Sequence, residues 1–102
     1  IHVSDLAEIH EKILKKISKF SISGVFNCGY YRGISVKEVI NEFKKQVNKK
    51  IRISYQKRRA GDLAVVIGNN KKLKKIINWK PRYYNLSKIV KSCIRWEKTT
   101  NK

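Results

Sequence analysis

Hydrophobic periodicity along this chain switches repeatedly between a helical and an extended repeat, and that alternation limits the folds open to it. Leu6, Ile9, Ile13, Leu14 and Ile17 recur at three- and four-residue intervals, the spacing that gathers them on one face of a helix. Ser4 stands where it can cap that helix, and Asp5 and Glu8 fall in a first turn that favours acidic side chains, so a helix is expected from Asp5 to Ser18. Val25-Phe26-Asn27-Cys28 is then short and mostly apolar, as expected of a strand buried on both faces. Ile51-Arg52-Ile53-Ser54-Tyr55 alternates apolar and polar residues, the pattern of a strand with one covered face, and Leu63-Ala64-Val65-Val66-Ile67 reads as strand-like.

Helical signals fill the remaining intervals. Gly29 and Gly33 lead into a helix opened by Ser35, which with Glu38 forms a capping-box pattern, and the apolar stripe is Val36, Val39, Ile40, Phe43 and Val47. A glycine-bearing turn before a helix N-terminus is a potential anion site. Here it lacks both a GxGxxG fingerprint and a Walker lysine, so a plain tight turn is equally open. Gly68-Asn69-Asn70 supplies turn and cap chemistry for a short helix packing Leu73, Ile76 and Ile77, which Trp79-Lys80-Pro81 ends because a residue before proline disfavours helical backbone. Asn85 is expected to cap a last helix with Leu86, Ile89, Val90, Cys93 and Ile94 inward, and the tail from Thr99 to Lys102 to fray.

The formal net charge of +18 invites a reading as a nucleic-acid or anionic-membrane binder. The lysines weaken it by being spread over three helices, as a solvated surface would be. There is no RRM-type aromatic motif and no zinc-finger spacing, so a small basic nucleic-acid-binding module rests on charge alone and is the alternative reading. Cys28 and Cys93 form neither a CxxC pair nor a framework and are expected to be small core residues in a reducing cytosol. His2 and His10 complete no metal-ligand spacing, and His10 is expected to pack beside the apolar face of its helix. No apolar run approaches the ~20 residues of a membrane span. With no methionine and a start inside an apolar-alternating segment, the chain is expected to be a piece of a longer polypeptide.

Arg58-Arg59-Ala60-Gly61-Asp62 concentrates the chemistry that is left. Two guanidiniums offer planar donor forks suited to phosphate oxygens, Gly61 permits positive φ, and Asp62 can accept hydrogen bonds from hydroxyls. The set suits a phosphorylated ligand that carries a sugar; a solvated basic turn is the competing reading.

Four motifs, in order, resemble the C-terminal portion of the UDP-glucose 4-epimerase family, within the extended short-chain dehydrogenase/reductases. They are Ile1-His2-Val3-Ser4-Asp5-Leu6-Ala7, Phe26-Asn27-Cys28-Gly29 through Gly33-Ile34-Ser35-Val36-Lys37-Glu38-Val39, Arg58-Arg59-Ala60-Gly61-Asp62, and Trp79-Lys80-Pro81. The resemblance implies an α/β fold, the C-terminal part of a Rossmann-type enzyme, with about four helices and short strands. It implies that residues 1–34 pack on a Rossmann sheet supplied from outside this sequence and that 35–102 form a substrate-binding subdomain. It further implies a cytoplasmic isomerase that interconverts UDP-glucose and UDP-galactose by transient C4 oxidation with NAD.

By the same resemblance, NAD and the catalytic Tyr-x-x-x-Lys belong to a part outside these 102 residues, which alone are not expected to be catalytic. Tyr30 and Tyr31 are not the catalytic tyrosine, since Ile34 and Ser35 stand where the lysine would be. Substrate binding is what carries over: Arg59 to the UDP pyrophosphate, Asp62 to the ribose hydroxyls, Val36 near the uracil and Arg58 supporting the loop. The implied partners are UDP-glucose or UDP-galactose, the remainder of the same chain and a second copy in a homodimer, with no nucleic acid and no membrane. Ala60 departs from a proline common in the family and Asn69 from an aspartate, which leaves related nucleotide-sugar epimerases and dehydratases open.

Overall fold

In a computed structural model of the chain, which describes residues 1–100, four helices and no strand are found among those residues. They are α1 (Val3–Ile17), α2 (Val36–Gln46), α3 (Lys71–Ile76) and α4 (Leu86–Thr100). The expected α/β arrangement with short strands is therefore corrected: the described residues are all helical and irregular. Val25–Cys28, Ile51–Tyr55 and Leu63–Ile67 carry strand-like patterns, but a strand exists only when a neighbour completes its hydrogen-bond ladder. None does so here, and Val25, Leu63, Val65 and Val66 are 84%, 76%, 74% and 76% exposed. Alternation announces which faces a segment would present, not whether a partner is within reach.

The chain divides into two compact units, each assembled from two stretches. The first joins Ile1–Arg32 to Ile67–Asn85. Its core is Ile9 of α1, Leu73 of α3, Ile77 and Trp79, with Ile13, Phe26, Cys28, Tyr30 and Ile76 packed against it. Leu73 is fully buried, so its truncation to alanine is expected to cost about 2–5 kcal/mol through lost contacts and the cavity left behind. Gly29 and Gly68 face each other backbone to backbone, and a Cβ on Gly29 would lie 3.4 Å from the Gly68 carbonyl oxygen, in ordinary contact with it. Beside it, Asn70 is buried and its side-chain amide donates to the Gly29 carbonyl at 2.6 Å, while the Asn69 carboxamide oxygen accepts from the Lys71 N–H at 3.0 Å. The two asparagines thus divide the work, Asn69 closing a turn onto the first residue of α3 and Asn70, the N-cap position, tying its side chain to Gly29.

Local chemistry moves some expected features. Helix α1 is capped by His2, whose Nδ1 accepts from the Ser4 N–H at 3.1 Å, and so starts before Asp5. His10 is exposed, its Nδ1 lying 2.8 Å from the Leu6 carbonyl oxygen, and is not packed beside the core. Cys28 does pack against the core, whereas Cys93 is exposed.

The second unit joins Gly33–Val66 to the stretch beginning at Leu86, and in it α2 lies against α4. The expected capping box is present: the Ser35 Oγ accepts from the Glu38 N–H at 3.2 Å, and the Ser35 N–H donates to the Glu38 carboxylate at 2.7 Å. At the other end of α2, the Gln46 amide donates to the Ser87 carbonyl and hydroxyl oxygens at 3.0 and 2.9 Å, tying the end of α2 to the start of α4. Val90 is the buried residue of α4, with Ile89 and Ile94 half-buried. Helix α4 continues through Thr99 and Thr100, where fraying was expected; positions 101 and 102 lie outside the described residues.

Candidate functional site

Arg58 to Asp62 sits in the second unit, in the irregular stretch after α2, and is exposed throughout. Two reciprocal hydrogen bonds close it. The Asp62 N–H donates to the Arg59 carbonyl at 3.2 Å, and the Arg59 N–H donates to the Asp62 Oδ2 at 3.1 Å. Gly61, third residue of the turn, has φ +87°, the left-handed value that a type II turn requires there. The sequence folds this way because Gly61 takes that φ without a Cβ penalty and a short carboxylate reaches back across the turn.

The consequence is a carboxylate with one oxygen fixed and the other open. Asp62 Oδ2 is held by the backbone, while Oδ1 has no protein donor among the described residues. The Arg58 and Arg59 guanidiniums pair with no carboxylate among the described residues, so their donor forks face solvent. Guanidinium forks and an oriented acceptor within five residues suit a ligand with phosphate oxygens and neighbouring hydroxyls. Val36 opens α2 in the same unit and is 76% exposed. The bonds that close the turn bring Arg59 and Asp62 together and do not involve Val36 or Arg58.

At the N-terminus of α2, the other potential anion site, a carboxylate already stands. The Glu38 carboxylate takes both the Ser35 N–H and the Ser35 hydroxyl at 2.7 Å. A dinucleotide pyrophosphate placed there would meet that negative charge, so this helix start does not fit NAD. Among the described residues no group of three or more His, Cys, Asp or Glu gathers as a metal site, and no helix is long and apolar enough to cross a membrane.

The strongest polar constellation was not legible as such. Asp5 is fully buried, and its carboxylate accepts from the Tyr30 hydroxyl at 2.7 Å and from the backbone N–H groups of Arg82 and Tyr83, each at 3.0 Å. Burial opposes its ionisation, but the Tyr30 hydroxyl and the two amides outweigh burial and hold the carboxyl below its usual range. The partner responds in kind: burial, then the bond to Asp5, pushes the Tyr30 hydroxyl up to about 12. Tyr30 also accepts from the His2 N–H at 2.9 Å, and the His2 ring stacks on Tyr83 with centroids 4.1 Å apart. Outside this knot, the Arg82 guanidinium donates through Nε and Nη2 to one Glu8 oxygen, at 3.1 and 2.8 Å, which raises the arginine further. These groups satisfy one another, which makes the knot structural. From sequence, Asp5 reads only as a favourable first-turn acid; the signal that could have found it is its place in the Ile1 to Ala7 motif together with Trp79-Lys80-Pro81.

No family model matches the chain. Curated relatives do. It is 38% identical over 98 residues to UDP-arabinose 4-epimerase 1 of Arabidopsis thaliana, covering 96% of this chain and 23% of that protein. It is 37% identical over 98 residues to a UDP-glucose 4-epimerase of Halalkalibacterium halodurans, covering 96% and 29%, and 34% identical over 96 residues to that of Lacticaseibacillus casei, covering 94% and 29%. The chain thus spans about a quarter of the length of the curated relatives it matches. The resemblance carried by the four motifs is borne out over nearly the whole chain.

Proposed function

We propose, from a chain that is a relative of the UDP-sugar 4-epimerases over nearly all of its own length, that it forms the UDP-sugar-binding portion of such an isomerase. The observation that carries the reading is the Arg59–Asp62 turn. Its reciprocal hydrogen bonds and the positive φ of Gly61 hold an exposed carboxylate within the same five residues as two guanidiniums that pair with no carboxylate among the described residues. In this reading Arg59 pairs with the pyrophosphate, the open Oδ1 of Asp62 accepts from the ribose hydroxyls, Val36 borders the uracil and Arg58 adds a second positive charge. A guanidinium fork matches two phosphate oxygens at once, and its charge does not titrate in the physiological range.

The parent reaction in this proposal is the interconversion of UDP-glucose and UDP-galactose. The relatives named for UDP-arabinose favour a second reading in which the sugar is a pentose and the UDP grip is unchanged. The implied NAD has no site among these residues, and hydride transfer is not assigned to them. Calorimetric titration with UDP tests the grip. Arg59→Ala is expected to weaken binding by about 1.5–3 kcal/mol, the range for a lost hydrogen bond to a charged group. An unchanged UDP affinity would overturn the site.

A further inference from the structure

We infer that a lysine-lined groove along α1, in the first unit, binds the phosphate backbone of single-stranded nucleic acid, with Phe20 as a stacking platform for a base. The groove has a volume of about 480 Å³ and is bounded by Lys12, Lys15, Lys16 and Lys19 on one side and by Phe20 and Ile77. Lys12, Lys15 and Lys16 stand three and four apart on one face of α1, and Lys19, in the turn after the helix ends at Ile17, lines the same groove, so the four ammoniums form a row rather than a scatter. The helical part of that row, Lys12 to Lys16, advances about 6 Å along the axis and Lys19 extends it past the helix end, room for roughly two or three phosphates of one strand.

The charges in the row are unequally committed. Lys12 donates to the Asn78 carbonyl at 3.1 Å and lies 3.6 Å from Glu8, a carboxylate it shares with Arg82, while Lys15 pairs with Glu11. Lys16 and Lys19 are exposed and pair with no carboxylate among the described residues. The Lys16 ammonium stands 5.5 Å from the centroid of the Phe20 ring. The groove therefore keeps a net positive charge after its own acids are counted, and it holds Phe20, 59% exposed, with the Lys16 ammonium over its ring.

That pairing of features selects the occupant. A strand with unstacked bases offers both a phosphate for the lysines and a flat face for Phe20, and sequence-tolerant binding of single strands uses this combination. A duplex keeps its base faces covered. An anionic bilayer meets convex surfaces, whereas these lysines line a concave one.

The test is fluorescence anisotropy of a short labelled oligothymidylate titrated with the chain, from about 50 to 200 mM salt. The logarithm of affinity is expected to fall against the logarithm of salt with a slope of about −1.4 to −2.1, for two or three phosphates contacted. Lys16→Glu with Lys19→Glu is expected to weaken binding about tenfold or more, and Phe20→Leu about fivefold. Lys49→Glu with Lys50→Glu makes the same change in net charge outside the groove and is expected to weaken binding less than about twofold. Circular dichroism checks that each variant keeps its helices; if the double glutamate variant does not, Phe20→Leu against the Lys49/Lys50 control decides. Equal losses from the two charge reversals, absence of binding, tighter binding of the duplex, or uptake by phosphatidylserine vesicles that the oligonucleotide does not displace would each overturn the inference.

Discussion

Replacing Asp5 is the sharpest perturbation of this fold, because one buried carboxylate answers three donors from segments far apart in sequence. Asp5→Ala takes the acceptor from the Arg82 and Tyr83 amides, whose bonds to it are part-buried, at about 1–2 kcal/mol each. The Tyr30 hydroxyl loses its acceptor too, but it is only half-buried and can turn to water, so the expected total is about 3–4 kcal/mol. Asp5→Asn keeps the shape. Its oxygen does best at the Oδ2 position, where Tyr30 and Tyr83 converge, which aims its NH2 at the Arg82 N–H and costs about 1.5–3 kcal/mol. Paired with Tyr30→Phe in a double-mutant cycle, it is expected to show about 1–2 kcal/mol of coupling.

Urea unfolding followed by tryptophan fluorescence reads these values, since Trp79 is buried beside Tyr30 while Trp96 is 69% exposed and serves as a background. The pH dependence supplies an independent check. The folded carboxyl of Asp5 lies below the ordinary 3.8, so its ionised form is favoured by folding. That stability is present in full above the unfolded value and is lost as pH falls through the folded one. The gap between parent and Asp5→Asn is therefore expected to narrow below about pH 4. Asp5→Ala within about 0.5 kcal/mol of the parent, or parallel acid profiles for parent and Asp5→Asn, would refute the reasoning.

Other expectations follow from single features. At the alkaline end, the Tyr30 hydroxyl is raised from 10.0 to about 12, so its contribution is whole below the unfolded value and is lost as pH rises through the folded one; Tyr30→Phe flattens that limb of a pH–stability profile. Ser35→Ala is expected to cost about 1 kcal/mol in a urea melt by removing one side of the capping box. Gly61→Ala meets no atom within 4 Å, so its cost of about 1 kcal/mol comes from φ alone, and it is expected to weaken UDP binding by loosening the Arg59–Asp62 turn. Ala60→Pro, at the turn position that favours proline, is expected to raise stability by about 0.4–1 kcal/mol and to leave UDP affinity at or above that of the parent.

What the sequence disclosed was whatever local rules determine. The stripe from Leu6 to Ile17, the Ser35–Glu38 box and the turn chemistry around Gly61 all depend on residues within a few positions of one another, and the structure has a helix, a capping box and a closed turn there. What it concealed depends on distant chain. The value of Asp5 lies in amides 77 and 78 positions away, and nothing near it distinguishes a buried acceptor from a solvated first-turn acid. The strand-like stretches failed for the same reason in reverse, since their patterns are local but a ladder is not. His2 was hidden as a cap because histidine is an uncommon one and Ser4 offered the usual chemistry.

The interleaving of the two units has a consequence for how the chain reaches its fold. Neither is a continuous length of polypeptide, since the first resumes only at Ile67 after the whole of Gly33–Val66 has intervened. Within these residues, α1 completes its core only when Leu73, Ile77 and Trp79 have been made, and the Asp5 knot can close only after that wait has reached Tyr83. The loop-closure entropy of that wait grows only slowly with length, so thermodynamics tolerates it better than kinetics does. A nick between Gly33 and Val66 would cut each unit's own connection, leaving two fragments that must find each other by diffusion, so recovery after such a cut is expected to depend on concentration.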